Sequence, residues 1–388
     1  MKRNLLFGLA IVSMLFTACT TDDTADIVLN INNEGSSNGG STGNTISGTF
    51  TSDLTLNSGT DYILNGSLIM TSGTTLTIPA GTTIKALAQG SDVYIAIAQG
   101  AKINALGTAT NPIVLTSNAS SPVAGDWGGL IVLGRAPINS VAGASTSTSE
   151  IASLPYGGTN AADDSGSIRY MRIEYSGGSA DGQSENNGFS FYGVGNGTLI
   201  EYIQAFEGKD DGVEFFGGTV NVNFVSVVNS QDDSIDWTEG YTGTITNAYV
   251  KHGAAHDKGI EADGFNTDIG NNSSPIFWSK PTVNNLTIIG NGSATGNEAV
   301  RLRAGTQGLF NNVSIQGFAE GFDLDDAQTG TGVSSDDLQV AGVVFTDVTL
   351  KMKNDTGETF TIADFISGDD GTATGTDYTN WGADWTVE

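Results

Sequence analysis

A five-residue phrase recurs along the chain and limits what it can fold into. The copies are Asp210-Asp211-Gly212-Val213-Glu214, Asp232-Asp233-Ser234-Ile235-Asp236 and Asp257-Lys258-Gly259-Ile260-Glu261, followed by Asn297-Glu298-Ala299-Val300-Arg301 and Ala319-Glu320-Gly321-Phe322-Asp323. An earlier copy reads Asn186-Asn187-Gly188-Phe189-Ser190, and successive starts are 24, 22, 25, 40 and 22 residues apart. No stretch after the N-terminal segment shows a helical apolar stripe. Short alternating runs such as Leu76-Thr77-Ile78, Tyr94-Ile95-Ala96-Ile97 and Ile113-Val114-Leu115 are separated by Gly, Ser and Asn. A period near 22 residues in such sequence predicts an all-β solenoid, a parallel β-helix with coils of about 22–25 residues and about three strands per coil.

Alternation then assigns faces. Val213/Phe215, Ile235/Trp237, Ile260/Ala262, Val300/Leu302 and Phe322/Leu324 are expected to point inward and stack from coil to coil. Glu214/Phe216, Asp236/Thr238, Glu261/Asp263, Arg301/Arg303 and Asp323/Asp325 point outward. One further strand is predicted before each phrase: 200–205, 222–228, 245–250, 283–289 and 309–315. Asn223, Asn247, Asn284, Asn285, Asn311 and Asn312 recur in these strands and suit turns or side-chain ladders. The long step of 40 leaves an insertion at 266–280, read as a loop over one face, and 134–166 forms a second excursion. The coils are assigned to 45–350 and a cap over the open end to 351–388.

The first residues follow another logic. Lys2 and Arg3 precede a short apolar run, Leu5 to Leu15, and the chain then reaches its single cysteine, Cys19, after small residues. That is the pattern of a secretory leader, too short for a comfortable membrane span. Leu15-Phe16-Thr17-Ala18-Cys19 resembles a lipobox, which implies a signal at 1–18, cleavage before Cys19 and lipidation of that cysteine. Residues 19–44 read as a flexible polar tether. Thr20-Thr21-Asp22-Asp23 resembles the acidic tags that send such lipoproteins to the outside of the outer membrane. With no second cysteine there is no disulfide, so packing and hydrogen bonds must hold the fold. The whole chain carries a net charge of -28. This excludes nucleic acid as a partner, disfavours anionic glycans, and suits Ca²⁺.

Ile78-Pro79-Ala80-Gly81-Thr82-Thr83-Ile84, the stretch Gly100 to Thr108, and Asn111-Pro112-Ile113-Val114-Leu115-Thr116-Ser117 form a familiar opening. Gly125-Asp126-Trp127-Gly128-Gly129-Leu130 and Ile168-Arg169-Tyr170-Met171-Arg172-Ile173-Glu174-Tyr175 follow it. Together they resemble a family of β-helix lipoproteins and surface proteins common in Bacteroidetes. The resemblance implies a right-handed parallel β-helix anchored in the outer membrane by lipid, at the cell surface, and no particular activity.

The acidic strip is the one concentration of chemistry. Asp210, Asp211, Glu214, Asp232, Asp233 and Asp236 fall on two adjacent rungs about 4.8 Å apart, and so many carboxylates call for a hard cation such as Ca²⁺ or for protonation. Arg301 and Arg303, between two acidic rungs, read as a ladder of charge pairs. Tyr192, Phe216 and Tyr241 either offer faces for a sugar ring to stack on or belong under a loop. Two readings of function stand side by side. One is a non-enzymatic binding or adhesion module for a glycan or protein, steadied by Ca²⁺. The other is a carbohydrate-active enzyme with Asp211, Asp232 and Asp233 as catalytic carboxylates. Asp232 and Asp233 follow Gln231 as in the pectin glycosidases, whose histidine would fall near His252 or His256 and whose basic motif would fall on Arg301-Leu302-Arg303. A Ca²⁺-dependent polysaccharide lyase with Lys258 or Arg301 as base is the less favoured form.

Overall fold

A computed structural model describes residues 44–141, 144–180, 184–267 and 275–388. The expected signal, Cys19 and all but the last residue of the tether lie outside these residues. Twenty-two strands form one continuous, almost wholly parallel sheet wound as a right-handed β-helix. Every coil contributes to three columns of strands. One column carries the repeated phrase and includes 189–192, 213–216, 235–238, 260–263 and 298–303, paired rung to rung in register. Val213 pairs with Ile235, Ile235 with Ile260, and Ile260 with Val300. The sheet pairing runs straight across the insertion at 266–280, so Arg301 and Arg303 do follow Glu261 and Asp263.

The strand expected before each phrase is present, as in Leu199–Phe206, Asn221–Val228, Thr244–Lys251 and Thr282–Ile289, and it supplies the other two columns. That stretch bends sharply in the middle, and its halves lie on different sides of the coil. Leu199 to Glu201 pairs with Asn221 to Asn223, while Ile203 to Phe206 pairs with Val225 to Val228. Between the halves sits one residue in the left-handed region: Tyr170, Tyr202, Phe224, Asn247, Asn285 and Asn312 in successive coils, with φ between 48° and 62°. Asparagine tolerates this conformation because its short amide bonds locally. The amides also bond to one another as a ladder, Asn285 to Asn247 at 3.0 Å and Asn312 to Asn285 at 2.8 Å. In the earlier coils stacked rings replace them, Tyr170 on Tyr202 and Tyr202 on Phe224, each with centroids 4.2 Å apart.

All five predicted inward pairs are buried. Phe191, Phe215 and Tyr241 stack inside, and the Trp237 indole donates to Thr306 Oγ1 at 3.1 Å. Each fully buried side chain of this kind contributes roughly 1.5–3 kcal/mol. At the C-terminal end the last long strand runs to Asp355, and Phe365 with Ile366 closes the open core. The remainder does not stay at the end. Thr374 and Gly375 bond Asn312, and the chain then runs back along the side of the helix. Tyr378 stacks on Tyr249, Trp385 meets Tyr170 and Tyr202 edge-on, and Gln204 bonds Val387 through both side-chain atoms. The terminal aromatics thus strap several coils together.

Candidate functional site

The outward side of the phrase column forms the floor of a cleft of about 700 Å³. The copies at 210–214, 232–236 and 257–261 put their second and fifth residues on that floor, and β-strand pairing brings these copies into line. Among the described residues, eleven carboxylate side chains line the cleft and only two cationic ones, Lys258 and Arg303. All six residues expected to hold a cation lie here. Three side walls complete it: Glu150 from the 134–166 excursion, Ser184 and Glu185, and Asn266 with Thr267 from the start of the insertion.

The carboxylates fall into overlapping groups. Asp211, Glu214 and Asp236 bring one oxygen each within 4.8 Å of one another, as do Asp211, Asp232 and Asp233, and Asp233, Asp236 and Glu261. Glu185, Asp210 and Asp232 form another group at the rim. Burial raises the pKa of each of the six, with mutual repulsion adding to it; Asp210 is pushed up to about 8. Asp236 Oδ1 is buried and accepts no hydrogen bond.

The two Asp residues of a phrase have different duties. Asp211 Oδ1 accepts the Asp233 N–H of the next rung at 3.0 Å, and Asp233 Oδ1 accepts the Lys258 N–H at 2.7 Å. The second Asp therefore ties one coil to the next and turns only its other oxygen to the cleft, whereas Asp210 and Asp232 are less buried. Compensating charge arrives one rung later. Lys258 Nζ lies 2.5 Å from Asp257, 3.1 Å from Glu261 and 3.8 Å from Asp233, and Arg303 pairs with Glu261 and Asp263 at 2.5 and 2.6 Å. Asp233 thus has a cationic neighbour that its sequence position did not suggest. No ion pair reaches Asp211, Glu214 or Asp236 among the described residues; Glu214 instead accepts the Asn187 amide at 2.6 Å.

Of the two readings of the aromatics, the one that puts them under cover holds. Tyr192 and Phe216 do sit on the outward side, but they stack on each other at 3.9 Å beneath Ile138, Ile151 and Tyr156 of the excursion. Only 2 % of either is exposed; Tyr192 lies outside the cleft lining, and Phe216 borders the cleft with that small share of its surface. Tyr241 is wholly inside the coil, stacked on Phe215. The catalytic constellation assembles in part. Asp211, Asp232 and Asp233 converge, but His252 and His256 stack on each other at 4.2 Å outside the cleft lining. Arg301 turns to Asp325, at 2.7 Å, and also lies outside it. Sequence reading missed Glu150 and Glu185, because excursion residues have no period to place them. It also missed Glu239, whose carboxyl is buried, bonded by Tyr156 and Asn266, and pushed up to about 7 by desolvation.

Residues 48–386 match the family model described as a pectate-lyase-like β-helix domain. No curated protein and no solved structure matches the chain.

Proposed function

We propose that this chain, which belongs to the pectate-lyase-like β-helix family, is a carbohydrate-binding module that holds a divalent cation in its cleft and does no chemistry on its ligand. The observation that carries the reading is the Asp211, Glu214 and Asp236 group: three oxygens from two adjacent rungs lie close together, and Asp236 keeps its Oδ1 buried and unbonded. An all-oxygen donor set of flexible carboxylates suits Ca²⁺. Bound there, the ion would neutralise the floor and offer open coordination positions to sugar hydroxyls. Asp211, Glu214 and Asp236 would hold it, with Asp233 and Glu261 at its flank. Lys258 and Arg303 keep the neighbouring carboxylates from competing.

Two features weigh against catalysis. Lys258 is held protonated by three carboxylates that raise its pKa, so it is a poor base for a lyase. Asp211, Asp232 and Asp233 bring one oxygen each within 4.8 Å of one another, closer than the roughly 6.5–9.5 Å an inverting glycosidase needs to seat its water, which weighs against inversion and leaves a retaining geometry open. A hydrolase remains the second reading because Asp210 stays protonated near neutral pH, as a general acid must. Lipid anchorage through Cys19 at the cell surface is part of the proposal, with the tether holding the cleft clear of the outer membrane.

The test is direct. The purified protein should gain thermal stability with Ca²⁺, lose it with EDTA, and retain glycans on an array only in the presence of the ion. Unchanged melting with either reagent overturns the cation reading. Release of reducing sugar or unsaturated product from any panel polysaccharide overturns the non-enzymatic one.

A further inference from the structure

In the cleft column the residue after each strand turns the chain away. Gly193 and Gly217 occupy that place in two successive rungs, at φ 56° and 65°, after the register partners Tyr192 and Phe216. The next rung, where Thr238 partners Phe216, puts Glu239 there at φ 54°. A side chain in this left-handed conformation costs about 1–2 kcal/mol relative to its ordinary one. Glu239 is also fully buried, which adds a desolvation cost. The coil does not need either, since the two preceding rungs close with glycine.

The side chain instead reaches two separate segments. Glu239 Oε2 accepts the Tyr156 hydroxyl at 2.6 Å, and Oε1 accepts the Asn266 amide at 3.1 Å. Its carbonyl accepts the Asn139 N–H at 2.8 Å, and the Asn139 amide donates to the carbonyls of Gly264 and Phe277 at 2.9 and 2.7 Å. Tyr156 belongs to the hairpin of 146–148 and 155–157, whose loop carries Glu150 to the cleft. Asn266 adjoins Thr267 on the other side of it. One buried side chain, rooted in the floor, is therefore bonded to both walls.

We infer that Glu239 is a positioning residue that fixes the excursion wall and the insertion wall over the acidic floor and so sets how well the cleft holds its cation. The inference rests on the reading of the cleft as a binding site. E239G is the informative variant, because it gives this rung the turn residue of the two before it and removes only the side chain. Hydrogen exchange should rise about tenfold in peptides covering 145–157 and 264–267, while 199–206 and 221–228 keep their wild-type rates. Ca²⁺ affinity, measured by titration of the metal alone, should fall about five- to tenfold. Y156F should loosen 145–157 and leave 264–267 as it was. Wild-type exchange in both walls of E239G, or equal loosening of the coils, overturns the inference. If the wild-type protein takes up no Ca²⁺, the cation reading falls and the exchange comparison alone decides the role of Glu239.

Discussion

Asp236 is the residue on which the cleft turns. It belongs to two of the carboxylate groups and leaves one oxygen buried without a bond. D236N should stabilise the metal-free protein by about 1–2 kcal/mol, since it removes a charge that burial and like neighbours disfavour. The same variant should abolish the stabilisation by Ca²⁺; urea denaturation with and without EDTA reads both. Asp211 predicts the contrary pattern. D211A leaves the Asp233 N–H without its acceptor and should cost about 1–3 kcal/mol even without metal, whereas the less buried D232A should be nearly neutral. Alternation placed Glu214 and Asp236 outward, and the repeat placed the Asp pairs that precede them, Asp210/Asp211 and Asp232/Asp233, on the same two rungs. Neither could tell Asp210 from Asp211, since a backbone bond to the next coil depends on turn geometry that alternation does not carry. For Tyr192 and Phe216 the sequence left two readings open for a related reason: they point outward as predicted, and what covers them comes from a segment without repeat.

At the scale of the coil, the hidden feature was the bend. A run such as Val222 to Val228 alternates well enough to pass for one strand, and only the left-handed residue within it divides two faces. Phe224 and Tyr202 gave no sign of it, because aromatic residues seldom adopt positive φ. Asn247, Asn285 and Asn312 did, and their recurrence was the legible trace. Asn285 bonds both neighbours in the ladder. N285G keeps the conformation and loses both bonds, so it should cost about 1–2 kcal/mol. N285A adds the strain of a Cβ at φ 55° and should cost about 1 kcal/mol more. Equal denaturation midpoints for the two variants would show that the bend is indifferent to its residue. The terminal strap shows the opposite limit of sequence reading. Trp381 and Trp385 were visible as aromatics outside the repeat, but their partners lie about 160–215 residues earlier, and no period links such distant positions.

Across the whole molecule, charge sets an unusual dependence on pH. The six cleft carboxylates have folded pKa values above their unfolded ones, with burial as the first cause. The folded state therefore binds more protons than the unfolded state between the ordinary carboxylate range and the raised values. Stability from this source is fully present below about pH 4 and is lost as pH rises toward 8, where Asp210 ionises. His252 works the other way. It is buried, its pKa is lowered to about 4 by desolvation and by His256, and its neutral form gains stability as pH rises from 4 to 6.5. One histidine opposes six coupled carboxylates, so the metal-free protein should be most stable on the acid side of neutrality. It should lose on the order of 2–4 kcal/mol by pH 8, a figure kept below the sum of separate shifts because each proton retained relieves its neighbours. A bound cation replaces those protons, so Ca²⁺ should do little at pH 5 and most at pH 8, flattening the profile. D236N should flatten the metal-free profile and be indifferent to Ca²⁺. Melting curves at pH 5, 6.5 and 8, with EDTA or with Ca²⁺, separate these outcomes. A metal-free protein that grows steadily more stable up to pH 8 would mean that the carboxylates are already compensated and that the cleft has no need of an ion.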